Sequence, residues 1–190
     1  MNKLYPISPP KIVLADFLPQ LRIVLGKNKP VYFQLRLKDT PREEIIAAAK
    51  KIIPICHEYG TKFIMNDFVD IALEVNADGV HIGGDDGDVA AARKKIGNKI
   101  LGVSCYNSLE LAKSVAAAGA DYVSFGAFYP TQTKVPKSKA EIETLKKWKA
   151  MSNVPVSVIG GINFENYKPL EAAGADFICM VSAIWSSNII

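Results

Sequence analysis

The sequence predicts an α/β protein of the (β/α)8 barrel class, compact, with its last helix truncated. Three observations carry this. Strand-like apolar runs alternate strictly with segments of helical period, and eight candidate strands can be counted. No linker or low-complexity stretch interrupts them, so residues 1–190 read as a single domain. One helix-to-strand turn recurs as Asn76-Ala77-Asp78-Gly79, Gly119-Ala120-Asp121-Tyr122 and Gly174-Ala175-Asp176-Phe177. Its Gly or Asn suits a left-handed helix end, and its Ala suits close helix–sheet packing. Eight strands favour a closed barrel over an open doubly wound sheet. Barrels of this class usually need ~250 residues, so few insertions are expected.

The elements follow in order. Leu4–Ser8 reads as a first strand, although Pro6 opposes a regular interior strand. Ile12–Leu25 has helical spacing, with Gly26 as its stop. Pro30–Leu37 is a strand. Thr40, Pro41 and Glu43 then suit the N-cap, N1 and N3 positions of a helix running to about Tyr59. Lys62–Met65, Phe68–Val75 and Gly79–Ile82 form a strand–helix–strand unit, which places Asp67 and Asp86 at the ends of neighbouring parallel strands. A helix over Asp88–Ile96, a strand over Lys99–Ser104, a helix capped by Asn107 and a strand over Tyr122–Phe128 come next. The polar loop Pro130–Lys139 leads to a helix over Ala140–Ala150 and a strand over Pro155–Ile159. A helix from Asn163, a strand over Phe177–Val181 and a short tail close the chain. So short an end leaves one barrel flank poorly covered, which a partner subunit in a homodimer would cover.

Composition narrows the function classes. No apolar run reaches the roughly 18 residues of a membrane span, and MNKLYPISPPK lacks a secretory h-region. Three widely spaced cysteines form neither a disulfide framework nor a zinc pattern, which favours a reducing cytoplasmic setting. A net charge of +4, with lysines spread over several helices, argues against a nucleic-acid stripe.

In such barrels the site lies at the C-terminal ends of the strands. Those ends hold Gln34, Arg36, Lys38, Asn66, Asp67, Asp86, Ser104, Thr131, Thr133, Lys134, Gly160, Gly161, Val181 and Ser182. Cations, two carboxylates and small donors suit a phosphorylated substrate with bound Mg²⁺. Arg36 and Lys38 alternate by two and so share a side of their strand. The glycines and hydroxyls after strands seven and eight fit the phosphate corner of this fold. Each residue also has a plain structural reading. Both aspartates suit helix caps, Arg36 and Lys38 suit surface charges, and Gly160-Gly161 suits a turn. His81 reads as a satisfied core histidine, not a base.

Taken together, QLRLK (34–38), ND (66–67), ADGVHIGGDD (77–86), LGVS (101–104), GADYVSFGAFYPTQTK (119–134), IGGI (159–162) and GADFICMVSAI (174–184) resemble the thiamine-phosphate synthase family, within a superfamily that also holds thiazole tautomerases. The resemblance spans nearly the whole chain. It implies a (β/α)8 barrel that joins hydroxymethylpyrimidine diphosphate to thiazole phosphate, giving thiamine phosphate and pyrophosphate. By matching position, Gln34, Leu35, Arg36, Leu37, Lys38 and Asn66 would hold the pyrimidine diphosphate, and Asp67 and Asp86 would ligate Mg²⁺. Ser104 and Lys134 would contact the pyrimidine substrate or its diphosphate. Thr131, Gln132, Thr133, Gly161, Val181 and Ser182 would hold the thiazole phosphate.

The chain departs from the family pattern at Leu37 (usually Glu), Gly84 (Gln), Asp85 (Glu), Tyr106 (His) and Asn107 (Thr). Two other functions share the barrel. A thiazole tautomerase typically lacks the aspartate of ND and the threonine-lysine pair, whereas this chain keeps Asp67, Thr133 and Lys134. A non-catalytic barrel binding thiazole phosphate or thiamine phosphate would have no need of two carboxylates.

Overall fold

The computed structural model describes residues 3–85, 87–131 and 138–185. Asp86, Gln132, Thr133 and Lys134, all candidate site residues, lie outside them. The elements are β1 (Leu4–Pro6), α1 (Leu14–Asn28), β2 (Tyr32–Leu35), α2 (Arg42–Glu58), β3 (Lys62–Asn66), α3 (Val69–Glu74), β4 (Gly79–Gly83) and α4 (Val89–Ile96). They continue with β5 (Ile100–Tyr106), α5 (Leu109–Ala117), β6 (Tyr122–Phe125), α6 (Ile142–Met151), β7 (Val156–Val158), α7 (Lys168–Ala172), β8 (Phe177–Met180) and α8 (Ser182–Trp185).

All strand pairs are parallel, in the order β1-β8-β7-β6-β5-β4-β3-β2. The last seam, between β1 and β2, is closed by a bridge from Ile7 to Gln34 and the bond Ser8 N–H→Gln34 O at 2.9 Å. Pro6 explains the thinness of this seam. Ile7 N–H turns to Met180 of β8, so the alternating nitrogen of Pro6 faces β2 and has no hydrogen to offer. The barrel is therefore complete, as the alternation predicts.

Strand alternation makes two cores. Outward residues such as Phe33, Phe63, Val103 and Val158 pack with the helices, where Trp148, Leu21 and Ile52 are fully buried. Inward residues Tyr5, Ile64, Tyr122 and Cys179 fill the barrel, with Tyr32, Ile100 and Phe177 packed against them. The short α8 still closes part of its flank. Trp185 lies 4.8 Å from the ring of Phe17, and its indole N–H donates to Ile7 O at 2.7 Å.

Several local expectations need correction. Gly26 does not stop α1, which runs on to Asn28. It is packed instead, because a Cβ there would meet the Tyr59 ring at 3.2 Å. Thr40 does not cap α2, since its hydroxyl donates to Lys38 O at 3.0 Å and Pro41 takes the cap position. Ser108, not Asn107, caps α5, and Asn107 Oδ1 instead accepts from Glu141 N–H at 3.1 Å. Asn163 opens a turn closed by Asn166, and α7 begins only at Lys168. β6 ends at Phe125, not Phe128.

Candidate active site

At the C-terminal ends of the strands lies a cavity of about 220 Å³. Gln34, Arg36 and Lys38 line it from β2 and the segment after it, Asn66 and Asp67 from the end of β3, and Ser104 from β5. The other side is formed by Thr131, Gly160, Gly161, Val181 and Ser182, from the segments after β6, β7 and β8. Leu35 and Leu37 alternate with the polar residues of β2 and belong to the outer core, so their side chains face the helices.

The cationic side has a definite electrostatic layout. Lys38 Nζ donates to Asp67 Oδ2 at 2.6 Å, with both side chains about one-third exposed (39% and 34%). Arg36 is half-buried. Burial pulls its pKa below the usual value against the opposing charge of Asp67, and a guanidinium remains charged regardless. Among the described residues no carboxylate lies within salt-bridge distance of Arg36. Its backbone is fixed by Arg36 N–H→Ser8 Oγ at 2.8 Å.

Asp67 does not act as a helix cap. Its side chain turns to Lys38, and Phe68 occupies the cap of α3. Its backbone is left-handed (φ 64°), a region that aspartate tolerates better than most residues but still at a cost. Tyr106, also lining the cavity, shares this conformation (φ 57°), next to a register shift between Ser104 and Tyr106. Irregular backbone at a strand end re-aims side chains. The cap at the start of α4 is Asp88, which accepts from Ala90 and Ala91.

The opposite corner is glycine-built. Gly160 (φ 103°) and Gly161 (φ 63°) are left-handed, and a Cβ on Gly161 would stand 2.3 Å from Pro130 O. Only glycine fits, so bare backbone faces the cavity. The Asn166 amide holds Gly161 O at 2.9 Å and stiffens the turn. At Gly84, where the family pattern has Gln, a Cβ would meet Ser104 O at 2.5 Å and Leu111 Cδ2 at 2.8 Å, so this backbone excludes the larger side chain.

Behind the cavity runs a buried polar chain. Gln34 Nε2–H donates to Tyr5 Oη (3.1 Å), which meets Tyr122 Oη (2.9 Å). Tyr122 meets His81 Nδ1 (2.9 Å), and His81 Nε2 meets Ser104 Oγ (2.8 Å). Burial lowers the His81 pKa to about 4 despite the nearby charge of Asp67, so the imidazole is neutral at pH 7. His81 is thus both a satisfied core residue and part of the cavity wall. Ser8, Tyr5, Tyr106, Tyr122 and Ser124 were not among the sequence candidates. Their signal was positional, since Tyr5, Tyr122 and Ser124 all stand on strands with neighbours that face inward.

Residues 4–184 match the thiamine monophosphate synthase family, and the chain belongs to it. Thiamine-phosphate synthase of Pelagibacter ubique is 43% identical over 97% of this chain and 89% of its own length. The enzyme of the same name from Rhodospirillum centenum is 41% identical with the same coverages. Among solved structures, thiamine phosphate pyrophosphorylase from Pyrococcus furiosus superposes with a TM-score of 0.82 at 33% identity, covering 95% of this chain and 86% of that one. An N-acetylmannosamine-6-phosphate 2-epimerase from Clostridium perfringens (TM-score 0.69, 15% identity, 95% and 86% coverage) shares the fold alone.

Proposed function

We propose that this chain is a transferase that joins hydroxymethylpyrimidine diphosphate to thiazole phosphate, releasing thiamine phosphate and pyrophosphate. One observation carries the reading. A single cavity is lined on one side by Arg36, Lys38 and Asp67 and on the other by the Gly160–Gly161 corner with Val181 and Ser182. A diphosphate leaving group and a second, phosphate-anchored substrate need two such anion-binding regions. The family's relatives carry the matching name.

The bond that breaks joins the pyrimidine CH₂ carbon to the diphosphate oxygen, and the electron pair leaves with the oxygen. The bond that forms joins that carbon to the thiazole nitrogen. Arg36 and Lys38 meet the charge that grows on the departing diphosphate, and such charge stabilisation is usually the largest single contribution to catalysis. The glycine corner, Thr131, Val181 and Ser182 hold the thiazole phosphate, so the attacking nitrogen is already near the carbon. Ser104 and Asn66 orient the pyrimidine diphosphate, with Gln34 beside them. Lys134, Gln132 and Thr133, which lie outside the described residues, belong to the same proposal.

The donor set fits Mg²⁺. Asp67 is an accessible, hard carboxylate at the cavity mouth, and such an ion is typically held by one or two carboxylates plus substrate phosphates. Asp67 and Asp86 would hold it, and when bound it would neutralise charge on the diphosphate. Lys38, paired to Asp67 at 2.6 Å, keeps that carboxylate aimed.

The exposed apolar Val13 and Ile23, on and beside α1, support a homodimer with this flank covered. A monomer at micromolar concentration in sedimentation would contradict that assembly. Among the described residues no helix is long and apolar enough to cross a membrane, and we place the enzyme in the cytoplasm. The reaction is tested by following pyrophosphate release with each substrate omitted in turn. Release should require both substrates. Release without thiazole phosphate at the full rate would identify a hydrolase instead.

A further inference from the structure

Protons along the buried chain can be counted. Gln34 Nε2 is only a donor, so Tyr5 Oη accepts from it at 3.1 Å. Tyr5 and Tyr122 are each 1% exposed, and the remaining contact of Tyr5 Oη is Tyr122 Oη at 2.9 Å. A buried hydroxyl proton without an acceptor is costly, so Tyr5 donates to Tyr122. Tyr122 has then accepted once, and its own proton must go to His81 Nδ1 at 2.9 Å. That nitrogen is therefore the bare one. The ring proton of a neutral imidazole sits on Nε2 and is given to Ser104 Oγ at 2.8 Å. Ser104 Oγ has accepted, so its hydroxyl proton is directed away from His81, and Ser104 lines the cavity.

We propose that Gln34, Tyr5, Tyr122 and His81 form a one-way hydrogen-bond relay that holds His81 as its Nε2–H tautomer and thereby turns the Ser104 hydroxyl proton away from His81, free to be donated to a lone pair of the substrate. His81 is a positioning residue here, acting through Ser104. The barrel makes room for the relay at Gly102, where a Cβ would fall 2.0 Å from Tyr122 Cζ and 2.2 Å from its hydroxyl. A side chain on β5 at that point would displace the phenol that spans from β1 to β4. A hydroxyl proton pointed into the cavity favours an acceptor atom there, such as an aminopyrimidine ring nitrogen or a diphosphate oxygen, over an N–H or O–H, which would leave that proton unmatched. This catalytic consequence rests on the proposed function; the tautomer itself does not.

The test uses the full-length protein with ¹⁵N-labelled histidine and two-bond ¹H–¹⁵N spectra. The chain has two histidines, so a His57→Gln variant assigns both. The relay predicts that in free wild-type protein His81 Nδ1 has the shift of an unprotonated nitrogen and Nε2 that of a protonated one. A protonated Nδ1 would overturn it, as expected if the Gln34 amide were turned to accept from Tyr5 and the chain ran in reverse. Tyr122→Phe keeps the ring and removes the hydroxyl. It should let the second tautomer appear and lower kcat about tenfold, the scale of one hydrogen bond, with KM for thiazole phosphate unchanged. In a Ser104→Ala background the same substitution should cost nothing further. A full additional loss in that background would overturn action through Ser104. A wild-type enzyme without turnover would overturn the functional reading, and the tautomer would still decide the relay.

Discussion

Arg93 and Arg36 stand at opposite ends of the barrel and do opposite things. Arg93, near its N-terminal end, spends its donors on the protein. It bonds Gly119 O, Gly97 O and Lys99 O and pairs with Asp121. Arg36, at the C-terminal end, has no carboxylate within salt-bridge distance among the described residues and lines the cavity. The same division holds for the carboxylates. Asp78, Asp121 and Asp176 each accept a strand-starting N–H, from Phe63, Leu101 and Val156, at 2.7 to 2.8 Å. Each also meets a basic side chain: Asp78 meets His57 and Lys62, Asp121 meets Arg93, and Asp176 meets Lys149. Asp67 is instead held by one lysine on a strained backbone. Polar groups satisfied by backbone stabilise, while those held only by side chains at a cavity remain available to a ligand.

The largest test of this contrast is Asp67→Ala. It should lower kcat by about 10³-fold, the scale of losing a main charge-stabilising group, with little change in thiazole phosphate affinity or melting temperature. A full-rate variant would remove Asp67 from the metal site. Acid comes next, and it should reach the interior before the N-terminal end. Burial lowers the His81 pKa from 6.5 to about 4, so between those values the unfolded chain binds more protons. The stability this contributes is complete above about pH 6.5 and is lost as pH falls towards 4, at most ~3 kcal/mol. The Asp78 carboxyl is lowered despite burial, by the Phe63 N–H, His57 and Lys62. Its contribution is present above the ordinary aspartate value and is lost only at lower pH still. Thermal unfolding against pH should therefore slope first in the His81 window, and His81→Gln should flatten that part alone.

Arg36→Ala should cost about 30-fold in kcat/KM for the diphosphate substrate, near 2 kcal/mol, with stability unchanged. An equal loss of stability would mean that Arg36 serves the fold. The smallest effect belongs to Asp121→Ala. Leaving the Leu101 N–H without its carboxylate should lower unfolding free energy by ~1–2 kcal/mol in denaturant titration, and kcat should not change. A loss of turnover at constant stability would break the contrast between the two ends.

The barrel was legible because parallel strands are buried on both faces and so appear as continuous apolar runs, set apart by helical spacing. Asp67, Arg36 and Lys38 were legible because strand ends of such a barrel face one cavity. The repeated Ala-Asp turn was visible too, but its aspartates went unread, since the N–H groups they accept lie 15 to 20 residues upstream. The relay was further out of reach. Tyr5 and Tyr122 are separated by 117 residues and meet only because closure brings β1 and β6 across the barrel. Cap positions slipped where two capping residues are adjacent, as at Asn107 and Ser108, and only the fold decides which is drawn to Glu141.

The most direct measurement is thiamine phosphate formation by the purified protein with both substrates, across a Mg²⁺ titration and after EDTA. One thiamine phosphate should form per pyrophosphate, appearing with the metal and abolished by the chelator. Thiazole phosphate binding without product at any Mg²⁺ concentration would contradict it.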